Sequence, residues 1–257
     1  MNRDDAVARL LGAEAERATC ARVTDDWPDL DVATAYEVQD AALDARLARG
    51  EHLVGVKLGL TSRPKQQRMG IDTPITAWLT DRMALPSGMP VRTEELIHAR
   101  AEPELAFVMG ERLAGPGVTA AAALGAVRRV HGAVEIIDSR YRDFSFTLAD
   151  VIADNASSGR FVLGPVGLDP ATLDLSLEAC LVELDGKVVD SATGAAVMGH
   201  PAEAVAYAAN LMAERGRAIE AGMIVLTGGM TDAVELQVGT SLTVSFTSLG
   251  AISLTTV

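Results

Sequence analysis

From His52 to the end, the chain advances in short apolar runs broken by glycine and proline, and this texture constrains the fold. HLVGVKLGL, ELAFVMG, GAVEIID, RFVLG, EACLVELDG, MIVLTGG and LTVSFTSLG are each of strand length and bounded by turn residues. Two stretches break the series, TAAAALGAVRRV and HPAEAVAYAANLMAERG. Both read as helices, the second with Pro201 at a helix start. Strands this numerous around so few helices exclude the regular alternation of a doubly wound sheet. The expectation is a mixed β core of barrel or roll type.

The first fifty residues read differently. Ala6, Leu10 and Ala13 recur about a turn apart, and a second helix is expected from Ala33 to Arg49, with Leu43 and Leu47 on one face and Gly50 as its stop. The predicted class is therefore α+β, a helical N-terminal part (1–85) packed on a β-roll or barrel core (86–257), in two parts or as one continuous domain. The run DRMALPSGMP, Asp81 to Pro90, is the expected boundary. Apolar residues make up 49% of the chain and aromatics only 4%, so that core must be built from Ala, Val, Leu and Ile.

A net charge of −13 argues against a nucleic-acid partner, which calls for a basic surface. Cys20 and Cys180 make neither a disulfide nor a metal framework. The acidic, amphipathic N-terminus lacks the apolar stretch of a signal peptide, and no apolar run reaches the ~18–20 residues of a membrane span. The default is a cytoplasmic protein without membrane contact.

Chemistry concentrates in a few runs. In Arg100-Ala-Glu-Pro-Glu-Leu-Ala-Phe-Val, strand alternation points Glu102 and Glu104 to one face, with Ala106 and Val108, while Leu105, Phe107 and Met109 take the other. Two like carboxylates there repel and lose hydration. A hard divalent cation such as Mg²⁺ or Mn²⁺ relieves both costs; an exposed edge strand with ordinary glutamates is the bland alternative. Glu135, inside the apolar run GAVEIID, adds a third carboxylate where an unpaired charge is expensive. Lys57 interrupts GVKLGL between Gly55 and Gly59, and reads either as a snorkelling edge residue or as a proton-transfer group in a site.

The segments around Arg140, Arg142 and Arg160 carry guanidiniums that could read a dianion, though each is also an ordinary surface salt-bridge candidate. The turn Leu226-Thr227-Gly228-Gly229 lacks the ending of a P-loop, and no GxGxxG opens a helix, so a nucleotide role has little support. His52, His98, His131 and His200 show no ligand spacing.

Together GVKLGLTS, AEPELAFV, AVEIIDSRYRDF, VIADNASSGRFVLG and AGMIVLTGGMTDAV, in this order from about Val54 to Leu254, resemble the 2-hydroxypentadienoate hydratase and 4-oxalocrotonate decarboxylase family of the fumarylacetoacetate hydrolase superfamily. The resemblance implies a Mg²⁺ or Mn²⁺ site made by Glu102, Glu104 and Glu135, with an acid/base or substrate-orienting role for Lys57. It also implies that Ser157, Ser158, Thr227 and Gly228 lie near the substrate; Thr61, Ser62, Arg140, Arg142 and Arg160 complete the expected substrate-binding set. The implied fold is that superfamily's β-roll, and the implied partners are a small 2-oxo dicarboxylate, further copies of the chain and a hydratase. Two details favour the decarboxylase branch. Pro74-Ile75-Thr76-Ala77 lacks the acidic residue that hydratases carry after the proline, and Arg140-Tyr-Arg142-Asp-Phe144 resembles the decarboxylase form. The expected reaction is decarboxylation of 2-oxohex-3-enedioate. Hydration of 2-hydroxypentadienoate, carbon–carbon hydrolysis of an acylpyruvate and a non-catalytic partner subunit are the alternatives.

Overall fold

The structure is a computed structural model and describes residues 1–71 and 73–257. Three helices open it: α1 (Arg3–Glu16), α2 (Val23–Asp26) and α3 (Val32–Ala48). A reciprocal cap starts α1, with the Asn2 side chain accepting from Asp5 N at 3.0 Å and the Asp5 side chain accepting from Asn2 N at 3.2 Å. As expected, α1 buries Ala6, Leu10 and Ala13, and α3 buries Leu43. Leu47, expected on that face, is instead exposed. In the last turn of α3 the inward place belongs to Arg46, paired with Glu14 and Glu51.

Two sheets follow. The larger runs β2 (Ile75–Thr80), β1 (Leu53–Gly59), β8 (Ile224–Leu226), β3 (Arg100–Met109), β4 (Val127–Ile137), β5 (Ser158–Leu168), with β9 (Val234–Glu235) pairing β3. The smaller runs β11 (Ala251–Thr255), β10 (Ser241–Phe246), β6 (Ala179–Leu184), β7 (Lys187–Thr193). Between strands lie α4 (Arg63–Met69), α5 (Ala120–Gly125), α6 (Leu148–Ala153) and α7 (Pro201–Ala213). β1 is parallel to β8 and antiparallel to β2, so the larger sheet is mixed.

This places β1 and β2, which precede residue 85, inside the core sheet. The expected division at 81–90 therefore does not coincide with a break in the sheet; of the first 85 residues, the helices up to Ala48 and the short α4 stand outside it. The helix expected over TAAAALGAVRRV is also shorter. It ends at Gly125, and β4 begins at Val127. A register shift between Val108 and Met109 leaves Arg128 and Arg129 both exposed, and two successive polar residues disguise the strand's alternation.

The larger sheet has two unlike faces. Val56, Leu58, Leu105, Phe107, Val130, Val134, Ile136 and Val225 point into the main core, against Val182, Val244, Phe246 and Ile252 of the smaller sheet and Val205 and Met212 of α7. The sheets approach closely at Gly132, where a Cβ would lie 2.5 Å from Phe246 Cε2. Truncating a fully buried side chain such as Phe107 to alanine costs about 3–5 kcal/mol. The other face carries Ala106, Ala133, Phe161 and Leu226. Towards β2 it is covered by the helical layer: Ile75 and Ala77 pack with Leu10, Tyr36, Val38 and Ile152. Gln39 fixes that layer, donating to Thr76 O at 3.0 Å and Ile152 O at 2.9 Å.

Candidate active site

The second face is where the charged residues collect. Glu102 and Glu135 are Cα partners across β3 and β4, and Glu104 follows two residues later on the same face. Each of the three offers a carboxylate oxygen, and these atoms lie within 4.8 Å of one another. Lys57 enters from β1, in the row that runs Lys57, Leu226, Ala106 across β8 to β3. Its ammonium is 3.1 Å from Glu135 Oε1 and donates to Oε2 at 3.1 Å.

Loops complete the arrangement. Gly228, at φ +103°, donates its N–H to Glu104 Oε2 at 2.7 Å. A Cβ there would lie 2.1 Å from Thr61 Oγ1, so the turn needs glycine for both conformation and space. Thr227 ties the turn to β3, its N–H and hydroxyl both donating to Leu105 O, at 3.1 and 3.0 Å. Ser62 caps α4 by accepting from Lys65 N at 3.4 Å. Lys65 in turn reaches Glu102 Oε1 at 2.7 Å and Gly229 O at 3.4 Å.

Glu104 and Glu135 are fully buried. Burial, then the charges of Glu135 and Glu102, pushes Glu104 well above the ordinary carboxylate range. Burial also raises Glu135, against the pull of Lys57. Lys65 is raised too: burial would lower it, but the charge of Glu102 and its hydrogen bond outweigh that and favour the ammonium. Neither Glu104 Oε1 nor Glu135 Oε1 has a hydrogen-bond partner among the described residues. Three carboxylates gathered together, two of them with an oxygen that accepts no hydrogen bond, fit a hard divalent cation.

A family model described as "Fumarylacetoacetate (FAA) hydrolase C-terminal" matches residues 46–257. The chain belongs to the fumarylacetoacetate hydrolase family. Within the family it is similar to a 4-oxalocrotonate decarboxylase of Pseudomonas sp. (strain CF600), 43% identical over 98% of this chain and 97% of the relative. A 2-hydroxyhexa-2,4-dienoate hydratase of Comamonas testosteroni is 38% identical over 96% of this chain and 94% of its own. Among solved structures, 4-oxalocrotonate decarboxylase from Pseudomonas putida G7, complexed with magnesium and adipate, superposes with a TM-score of 0.95 at 39% identity, covering 100% of this chain and 99% of the other.

In this fumarylacetoacetate hydrolase family member, Lys57, the three glutamates, Thr61, Thr227 and Gly228 come together, and Ser62 supports them through α4. The arginines do not join them. Arg140 is buried with its guanidinium committed to Asp154, Asp138 O and Ser158 O. Arg142 is exposed. Arg160 pairs with Ile136, so its side chain leaves the sheet on the face opposite Glu135, towards Glu95 at 3.5 Å. Ser157 accompanies Asp154, and Ser158 lines a groove of about 280 Å³ with Arg140 and Arg160.

Two residues escaped the sequence reading. Asp154, buried beside Arg140, is lifted by burial to about 6 although Arg140 pulls it down. Its only trace was a charge at the end of the apolar run VIAD. Lys65 was announced by Thr61-Ser62-Arg63-Pro64, a capping serine followed by a proline in the first turn, which sets a short helix and the lysine's direction.

Proposed function

We propose that this chain is a divalent-cation-dependent lyase that decarboxylates 2-oxohex-3-enedioate, or a close relative, to 2-hydroxypenta-2,4-dienoate. The buried Glu102–Glu104–Glu135 set beside Lys57 carries this reading, supported by full-length likeness to 4-oxalocrotonate decarboxylases. The three glutamates would hold Mg²⁺ or Mn²⁺. When bound, such a cation supplies Lewis acidity and orientation to a 2-oxo acid.

The rest falls to the chain itself. The substrate's far carboxylate is a vinylogous β-keto acid. When its carbon–carbon bond breaks, the electron pair moves through the C3–C4 double bond to the C2 oxygen. Lys57, buried 3.1 Å from Glu135, offers that oxygen a proton and recovers one from solvent. The Gly228 N–H keeps Glu104 oriented. Binding the departing carboxylate too firmly would stabilise the ground state as much as the transition state, so strong neutralisation there gains no rate. A non-catalytic subunit would have no use for such a costly buried anionic cluster.

The hydratase is the second reading, favoured by the 38% identity to the Comamonas testosteroni enzyme. Purified protein with Mg²⁺ should release CO₂ from 2-oxohex-3-enedioate. Consumption of 2-hydroxypentadienoate alone, followed by loss of dienol absorbance, would replace the decarboxylase with the hydratase. No helix among the described residues is long and apolar enough to cross a membrane. The reading includes a cytoplasmic homo-oligomer and a complex with a hydratase, both carried by family resemblance.

A further inference from the structure

Two lysines face the carboxylates, and they occupy unlike places. Lys57 and Glu135 form the floor, with side chains 3% and 1% exposed. Lys65 and Glu102 form the mouth, 16% and 14% exposed. Lys57 projects from the middle of a sheet strand, whereas Lys65 stands on a seven-residue helix and reaches Glu102 over Gly229. A Cβ at 229 would come within 2.5 Å of Lys65 Nζ and 2.8 Å of Glu102 Cδ, so a side chain there would push this pair aside. Glu102 can serve a cation with both neighbours only by loosening its hold on this ammonium, since the same oxygen cannot be shared freely between two positive charges.

We propose that Lys65 is the specificity residue for the substrate's second carboxylate: it pairs with Glu102 while the cluster is empty, and turns to the far end of a dicarboxylate once Glu102 serves a divalent cation. This rests on the function proposed above. A substrate whose 2-oxo acid end lies on the floor must extend its other end through the mouth, where Lys65 stands. Two of the guanidiniums expected for the task are elsewhere, with Arg140 committed to Asp154 and Arg160 on the opposite face. A single ammonium on a flexible stem, still partly hydrated, selects a dianion without clamping it as an arginine fork would. That is what a leaving carboxylate requires.

The test uses the whole protein with Lys65→Met, which keeps the stem and removes the charge, and Lys65→Arg, which keeps the charge. Titrating Mn²⁺ into chelator-treated protein should show the Met variant binding several-fold tighter than the parent, because the competing ammonium is gone. In the Mg²⁺-loaded protein, calorimetry with 2-oxohexanedioate and 2-oxohexanoate should show the parent preferring the diacid. The Met variant should lose about tenfold or more for the diacid alone, or roughly 1.4 kcal/mol, and the Arg variant should keep the preference. Weaker Mn²⁺ binding by Lys65→Met would make Lys65 a structural prop, and an unchanged diacid preference would remove it from recognition; either overturns the proposal. If the diacid preference falls as expected but the parent releases no CO₂ from 2-oxohex-3-enedioate, Lys65 stands and the decarboxylase reading goes.

Discussion

Glu102 and Glu135 face each other as Cα partners on adjacent antiparallel strands, a position where like charges destabilise a sheet. The fold tolerates the pair by placing one lysine against each: Lys65 on Glu102 at 2.7 Å and Lys57 on Glu135 at 3.1 Å. Glu104 has no ion pair of its own among the described residues; the Gly228 N–H donates to it, and Lys57's charge acts on it from beside Glu135.

Glu104→Gln should therefore separate stability from function. The amide removes a buried, poorly compensated charge, so the metal-free variant should unfold at higher urea than the metal-free parent, by roughly 1–3 kcal/mol. Divalent-cation affinity and CO₂ release should both fall, by about a hundredfold or more. Full activity of this variant in EDTA-treated buffer would dismiss the metal centre altogether.

Gly228→Ala tests the turn. The new methyl would meet Thr61 Oγ1 at 2.1 Å in a backbone conformation that strains any side chain. A loss of about 1–3 kcal/mol is expected from the strained backbone alone. Because the same peptide donates to Glu104, Mn²⁺ affinity should weaken as well. A companion Thr61→Ser change, which removes one of the crowding atoms, should recover part of the stability by thermal melting.

Asp154 sets a pH dependence away from the metal centre. Its folded value of about 6 stands above the ordinary 3.8 because burial disfavours its charge. Such a group binds its proton more tightly in the folded state, so the stability it lends is complete below about pH 4 and is lost as pH rises through 6. At 1.36 kcal/mol per pH unit the loss is about 3 kcal/mol. Asp154→Asn cannot ionise, so its unfolding free energy relative to the parent should rise between pH 4.5 and pH 7. The opposite slope would mean that Arg140 keeps Asp154 ionised throughout.

Much of this site was legible because strands alternate. The spacing of Glu102 and Glu104 put both on one face, and an isolated charge in GAVEIID put Glu135 where it needed company. The arginines were not legible, because a guanidinium beside a strand gives no sign of its direction. Arg160 lies one residue from Phe161, which shares the face of Glu135, and that single step sends it to the other side. Lys65 was missed because a seven-residue helix is too short for a periodic signal. The helical layer was read from its apolar spacing, yet Arg46 displaced Leu47 by an ion pair that no local pattern announces.

The position of β8 has a consequence for how the molecule comes into being. This three-residue strand, Ile224–Leu226, lies between β1 and β3, so Lys57 and Glu104 sit on strands that never touch directly. Their meeting waits on residues more than a hundred and fifty positions beyond the lysine, a long loop to close and a slow one. The glutamates of β3 and β4, by contrast, are neighbours through a single antiparallel pairing. The lysine and the carboxylates therefore become one site only when this short strand has bridged β1 and β3.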